Sequence, residues 1–179
     1  AVYGNLGDDT IVVAGLATSA SLYGGQGNDS FSLGTVDAGI LEGGSGADTF
    51  LLAGSLKGAS LYGGTAGSSG DSADLISIEA GLTAAAVYGQ GGDDTLYVNA
   101  GASKSSVFSG SGDDSVELNG DASTLYFQGG TGADSLTVSG LFGSTLYGDD
   151  SVATTGGDDS FSLKGNLSGS VVYGNLGND

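Results

Sequence analysis

The sequence has no cysteine, histidine, proline, methionine, tryptophan or arginine. Without Cys or His there can be no thiol nucleophile, imidazole base, Ser-His-Asp triad, zinc finger or haem ligand. Three lysines stand against 18 Asp and 3 Glu, for a net charge of −18. Phosphate binding needs cations, so nucleic acid is excluded as a partner. No run of about 18 apolar residues occurs, which excludes insertion of a membrane-spanning helix. What is abundant is glycine, 37 of 179 residues, about three times the usual share. High charge and much glycine oppose collapse. Yet 39% of the residues are hydrophobic and the mean hydropathy is +0.11, so the apolar residues must be organised, and repetition is the first form to test.

The segment Tyr23-Gly24-Gly25-Gln26-Gly27-Asn28-Asp29 recurs throughout, with its closing aspartate at Asp9, Asp29, Asp48, Asp74, Asp94, Asp114, Asp134, Asp159 and Asp179. The gaps are 20, 19, 26, 20, 20, 20, 25 and 20 residues, a unit of about 20 with two longer loops. A second period lies above the first: Val-Tyr-Gly at Val2, Val87 and Val172 is spaced by 85 both times. Residues 1–179 therefore form a single array of larger units, 2–86, 87–171 and the partial 172–179, each of four short units. The array opens and closes in the same phase, as an excerpt of a longer solenoid would.

After each Asp an alternating apolar pair follows: Ile11/Val13, Phe31/Leu33, Phe50/Leu52, Ile76/Ile78, Leu96/Val98, Val116/Leu118, Leu136/Val138 and Phe161/Leu163. Period two puts both members on one face of a strand. A second short strand precedes each Gly loop, with one inward residue at Val2, Leu22, Leu41, Leu61, Val87, Val107, Phe127, Leu146 and Val172. A unit this short cannot bury its own apolar face, whereas stacked coils can. The expected fold is all-β: a flattened parallel β-solenoid (β-roll-like) of about 20 residues per coil, with two short strands per coil in two sheets. Four coils make the 85-residue super-repeat. At about 4.8 Å per coil the array would be a rod roughly 40 Å long.

The loop Gly43-Gly44-Ser45-Gly46-Ala47-Asp48, followed by Thr49-Phe50-Leu51, fits the nonapeptide Gly-Gly-x-Gly-x-Asp-x-apolar-x, as does Gly129 to Thr137. The fit is looser where Asn5, Gln90, Ser109 or Asp149 replaces a glycine. The chain thus resembles the RTX family of secreted bacterial calcium-binding proteins over essentially its full length. The resemblance implies Ca²⁺ trapped between the loops of neighbouring coils by Asp carboxylates and backbone carbonyls. Ca²⁺ takes six to eight oxygen ligands, and glycines let carbonyls turn towards an ion. The metal-ligand candidates are the nine closing aspartates, their neighbours Asp8, Asn28, Asp93, Asp113, Asp158 and Asn178, and Asp71, Asp149 and Asp150 in the long loops. One ion per gap would make eight Ca²⁺, adding +16 to −18. Only one loop per coil carries Gly-x-Asp, so the ladder is one-sided; Lys57 and Lys104 fall on the other edge and Lys164 at its entrance.

Just before each Gly loop stands an aromatic rank, Tyr3, Tyr23, Tyr62, Tyr88, Phe108, Tyr147 and Tyr173, broken by Glu42 and Gln128. It alternates with the inward residue and so faces outward, as a stabilising stack or a docking ridge for sugar or a neighbouring rod. The two long loops, 63–74 and 148–159, recur 85 residues apart. They are placed for lateral contacts between rods, with extra Ca²⁺ at Asp71, Asp149 and Asp150.

The leading function is a non-enzymatic, calcium-stabilised structural rod in a bacterial surface layer, filament or adhesin stalk, extracellular because weak Ca²⁺ sites fill only at millimolar levels. Zero cysteine fits an exported protein that uses metal in place of disulfides. The resemblance also implies type I secretion. The partners would be identical chains, end to end or side by side, and cell-surface polysaccharide. The alternatives are an ice- or carbohydrate-binding β-roll, and the non-catalytic repeat region of a larger secreted enzyme or toxin. Carboxylate pairs such as Asp93/Asp94 recur in copy after copy, which suits ligands better than a single acid-base site.

Overall fold

The computed structural model describes residues 1–65, 71–150 and 156–179. The chain is an all-β parallel solenoid of about 20 residues per coil, and no described residue is helical. Strand n of each coil pairs in parallel with strand n of the next, so every sheet runs in chain order. The first sheet has nine strands, from Val2–Leu6 to Val171–Tyr173, and carries the residues leading into each Gly-Asp loop. The second has eight, from Thr10–Val13 to Ser160–Leu163, and carries the apolar pairs.

A third sheet corrects the expectation of two strands per coil and two sheets. Eight two-residue strands, from Ala17–Thr18 to Leu167–Ser168, run up the edge opposite the Gly-Asp loops. Each has a single inward position, filled by Ala17, Val36, Leu56, Leu82, Ala102, Ala122, Leu141 or Leu167. One inward residue per strand cannot display an alternation, and three of the eight are alanine, so the sequence carried no period to read.

The inward positions meet in one core. Phe31, Leu41, Phe50, Leu56, Leu61 and Ile78 are fully buried, and the core continues to Leu141 and Leu146. At the terminal coils, which have a neighbour on one side only, Val2 is exposed and Phe161, Leu163 and Val172 are half-buried. Register matches like with like, as in Leu61 opposite Leu41 and Val87, so apolar columns run the length of the rod.

The aromatic rank forms as expected, with parallel rings at 4.7 Å between Tyr62 and Tyr88 and 5.0 Å between Tyr88 and Phe108. Gln128 does not break it. Tyr126, two residues earlier, swings into the gap between Phe108 at 5.5 Å and Tyr147 at 5.7 Å, and its hydroxyl donates to Gln128 Oε1. Within the parallel runs the ring faces are spent on one another, leaving edges and hydroxyls for solvent. A sugar would stack on ring faces, and within these runs the inner faces are already paired with one another.

Candidate functional site

The strand entering each loop carries glycines towards its end, because the turn demands a backbone that few other residues adopt. At Gly25, Gly44, Gly110 and Gly130 φ lies between 117° and 122°, and a Cβ there would run into the carbonyl of the coil below. Where the sequence substitutes Asn5, Gln90 or Asn175, φ relaxes to 76–87°, closer to the left-handed region open to such residues. The loop then delivers two side chains to the stack, one inner and one outer.

The inner column consists of the closing aspartates. Asp29, Asp48, Asp74, Asp94, Asp114, Asp134 and Asp159 are buried, Asp9 is half-buried, and Asp179 in the last coil is exposed. Each carboxylate reaches back one coil. Asp29 Oδ1 accepts the backbone N–H of Asp9, Asp48 that of Asp29, and so on through Asp179 and Asp159, at 2.7–3.0 Å. The backbone carbonyl of the same aspartate accepts the next N–H along, as in Ser30 to Asp9 and Thr49 to Asp29 at 2.8 Å. The inner Asp therefore completes the backbone ladder where the chain turns away from its neighbour and a buried N–H would otherwise go unpaired.

The outer column braces in the opposite sense. Asp8 Oδ1 accepts the N–H of Asn28 in the following coil, Asn28 that of Ala47, Asp93 that of Asp113, Asp113 that of Ala133, and Asp158 that of Asn178, at 2.8–2.9 Å. All these acceptors are exposed. Asp71 and Asp149 belong to neither column and sit at the roots of the long loops. Asp150 is half-buried beside Asp149. Residues 66–70 and 151–155, the middles of the two long loops, lie outside the described residues, as does any lateral contact they make.

The second oxygens of the inner column remain unpaired. Oδ2 of Asp9, Asp29, Asp48, Asp74, Asp94, Asp114, Asp134 and Asp159 is buried with no hydrogen-bond partner. All but that of Asp114 sit against a glycine: Asp29 Oδ2 and Gly43 O both lie where a Cβ of Gly24 would be, and Asp48 Oδ2 and Gly63 O do so at Gly43. A buried carboxylate oxygen with no donor, in surroundings that also hold a carbonyl oxygen, calls for a proton or a cation. Ser109 takes the glycine place in one coil, and its buried Oγ is unpaired as well. Ser109 is visible in the sequence only as a departure from the glycine pattern, and Tyr126 lies outside the repeated aromatic position.

Burial pushes the inner carboxyls far above the ordinary 3.8: to about 7 for Asp48, Asp94 and Asp114, about 8 for Asp74 and Asp134, and about 6 for Asp159. The backbone N–H bond opposes the rise, and the charges of neighbouring aspartates add to it. Among the described residues no three carboxylates gather into a metal-holding cluster. A cation in this column would rest on single carboxylate oxygens and the glycine carbonyls beside them. That donor set, all oxygen with backbone carbonyls prominent, suits Ca²⁺ and offers nothing to softer metals.

No protein-family model, curated protein or solved structure matches the chain. The site must be read from its own geometry.

Proposed function

We propose that this chain is a structural rod of a secreted bacterial surface assembly, consolidated by Ca²⁺ along its Gly-Asp edge. The observation that carries this reading is the column of buried, unpaired Oδ2 atoms. A stack of like charges removed from water is strongly unfavourable unless it is neutralised. Protons do this in the metal-free chain; Ca²⁺ does it where the ion is plentiful, outside the cell. The ions would be held by Asp29, Asp48, Asp74, Asp94, Asp114, Asp134 and Asp159, with Asp9 and Asp179 completing the ends. The outer Asp8, Asn28, Asp93, Asp113, Asp158 and Asn178 act as braces, since each spends an oxygen on a neighbouring N–H or lies in solvent.

A solenoid of this kind grows by adding coils, so its natural role is mechanical: a spacer or wall element that associates with copies of itself. Its chemistry, single carboxylates spent on backbone N–H groups, is that of a non-catalytic chain. The test is to strip the protein with chelator and titrate Ca²⁺ while recording far-ultraviolet circular dichroism. A cooperative gain of β signal near millimolar Ca²⁺, absent with Mg²⁺, is the expected result. A β signal indifferent to Ca²⁺ would leave the column proton-neutralised and remove the extracellular, calcium-gated part of the reading.

A further inference from the structure

The two larger units are not identical at the roots of their long loops, and the difference is reciprocal. Adding 85 carries Gly64 onto Asp149, Asp71 onto Gly156 and Ser72 onto Gly157. The first unit thus has glycine then aspartate, and the second has aspartate then glycine. In the first, the Asp71 carboxylate occupies the space a Cβ on Gly64 would need. In the second, the Asp149 carboxylate occupies the space a Cβ on Gly156 would need. One carboxylate fills the root in each unit, supplied from opposite sides of the loop.

Its hydrogen bonds make the same point. Asp71 Oδ1 accepts the N–H of Ser72 at 2.9 Å, and Asp149 Oδ1 accepts the N–H of the equivalent Gly157 at 3.2 Å. The donor has stayed in place while the acceptor has changed position. Each carboxylate also ties the root to an adjacent coil. Asp71 takes Gly46 N–H of the coil before, at 3.2 Å, and Asp149 Oδ2 takes Leu176 N–H of the coil after, at 2.9 Å. Exact duplication would have copied one arrangement into both units; here the two units differ, and each still holds one carboxylate at the root.

We infer that the root of each long loop is a carboxylate clamp, filled by Asp71 in the first unit and by Asp149 in the second, and that the two supply positions are interchangeable. The clamp fixes the backbone where the chain rejoins the coil, once per larger unit. It needs no metal, so it stands independently of the calcium reading. Neither Gly64 nor Gly156 has a positive φ, so an aspartate at either place meets no backbone strain.

The test is an exchange cycle in the full chain, with chelator present, read by amide hydrogen exchange and by denaturant midpoint. Asp71→Gly should speed exchange at Ser72 and Gly46 by on the order of tenfold, the worth of one lost charge-assisted bond. Gly64→Asp alone should also destabilise, by forcing two carboxylates into one place. Combined, Gly64→Asp with Asp71→Gly should restore slow exchange at Ser72 and the denaturant midpoint to near the parent, while Gly46 stays fast and Gly91, the counterpart of Leu176, gains protection. The mirror pair, Asp149→Gly with Gly156→Asp, should behave alike at Gly157. If a single variant fails to fold, folding of its double is itself the rescue. A double variant no better than its worse single, or an Asp71→Gly chain with unchanged exchange, would overturn the clamp.

Discussion

At the third-sheet edge the coil turns at φ between 49° and 62°, and the turning residue is Ser19, Ala38, Gly58, Ala84, Lys104, Thr124, Gly143 or Gly169. At the Gly-Asp edge the glycines turn at φ between 98° and 128°, and a Cβ at most of them would strike the neighbouring coil. The first edge closes its ladder mostly with backbone, as in Ala17 N–H to Thr35 O and Ala38 N–H to Lys57 O. Among the described residues it takes a serine hydroxyl in only three coils, where Ser105, Ser144 and Ser170 Oγ accept the N–H of Ala85, Leu125 and Ser144. The second must borrow a carboxylate in every coil. Where the backbone satisfies itself, the sequence is free to drift; where it cannot, the sequence is held to glycine and aspartate. Both edges also differ in charge, since the lysines lie on or near the first, where Lys164 pairs with Glu117 at 3.5 Å.

The sharpest way to break this comparison is to add one methyl group at each edge. Gly44→Ala, at φ 117° with the Gly25 carbonyl in the way, should cost at least ~2 kcal/mol and threaten folding. Gly58→Ala, at φ 53° in open space and in the position Ala38 and Ala84 already hold, should cost under ~1 kcal/mol. Denaturant midpoints of the two variants decide it. Next in size are the side chains. Asp94→Ala leaves the buried N–H of Asp74 without its acceptor and should cost about 1–3 kcal/mol in the metal-free chain at mildly acid pH. Exposed Ser123→Ala, on the other edge, should stay within about 0.5 kcal/mol.

The pH dependence separates the edges without mutation. The inner aspartates hold protons in the folded state up to about pH 6–8 but lose them near 3.8 when unfolded. Between those limits the folded chain binds more protons, so metal-free stability should be greatest at and below about pH 4 and fall as pH rises through 8. Saturating Ca²⁺ should reverse the slope, because protons then compete with the ion. Thermal melts across this range, with and without Ca²⁺, check both signs. The smallest effect is Asp94→Asn, which keeps the Oδ1 acceptor and turns the unpaired oxygen into an amide donor facing Ser109 O. It should melt slightly higher than the parent in chelator at alkaline pH and gain less from Ca²⁺.

The parts of this molecule legible in the sequence are those where one side chain is required in every coil. Leu22, Leu41, Leu61 and their partners mark the core because each must fill the same column, and Asp29 to Asp159 mark the turn because each must satisfy the same N–H. The third strand was illegible because its backbone pairs without help and its one inward residue can be as small as Ala102 or Ala122. The N–H groups that Asp8 and Asp93 accept were hidden for another reason: their donors lie in the next coil, and a repeat count does not say which backbone group a side chain meets. Tyr126 shows that a broken rank can be mended from the next outward position, which period counting alone does not register.

The central claim, the one proposed above, is that a cation neutralises the column of unpaired Oδ2 atoms. The most direct measurement is a crystal structure grown in millimolar Ca²⁺, with anomalous diffraction data collected to locate the ion. The account predicts a row of anomalous peaks inside the Gly-Asp edge, beside Asp29, Asp48, Asp94 and their equivalents, one to a gap. A column with no anomalous density in crystals grown at saturating Ca²⁺, its Oδ1 atoms still holding the backbone N–H groups, would contradict it.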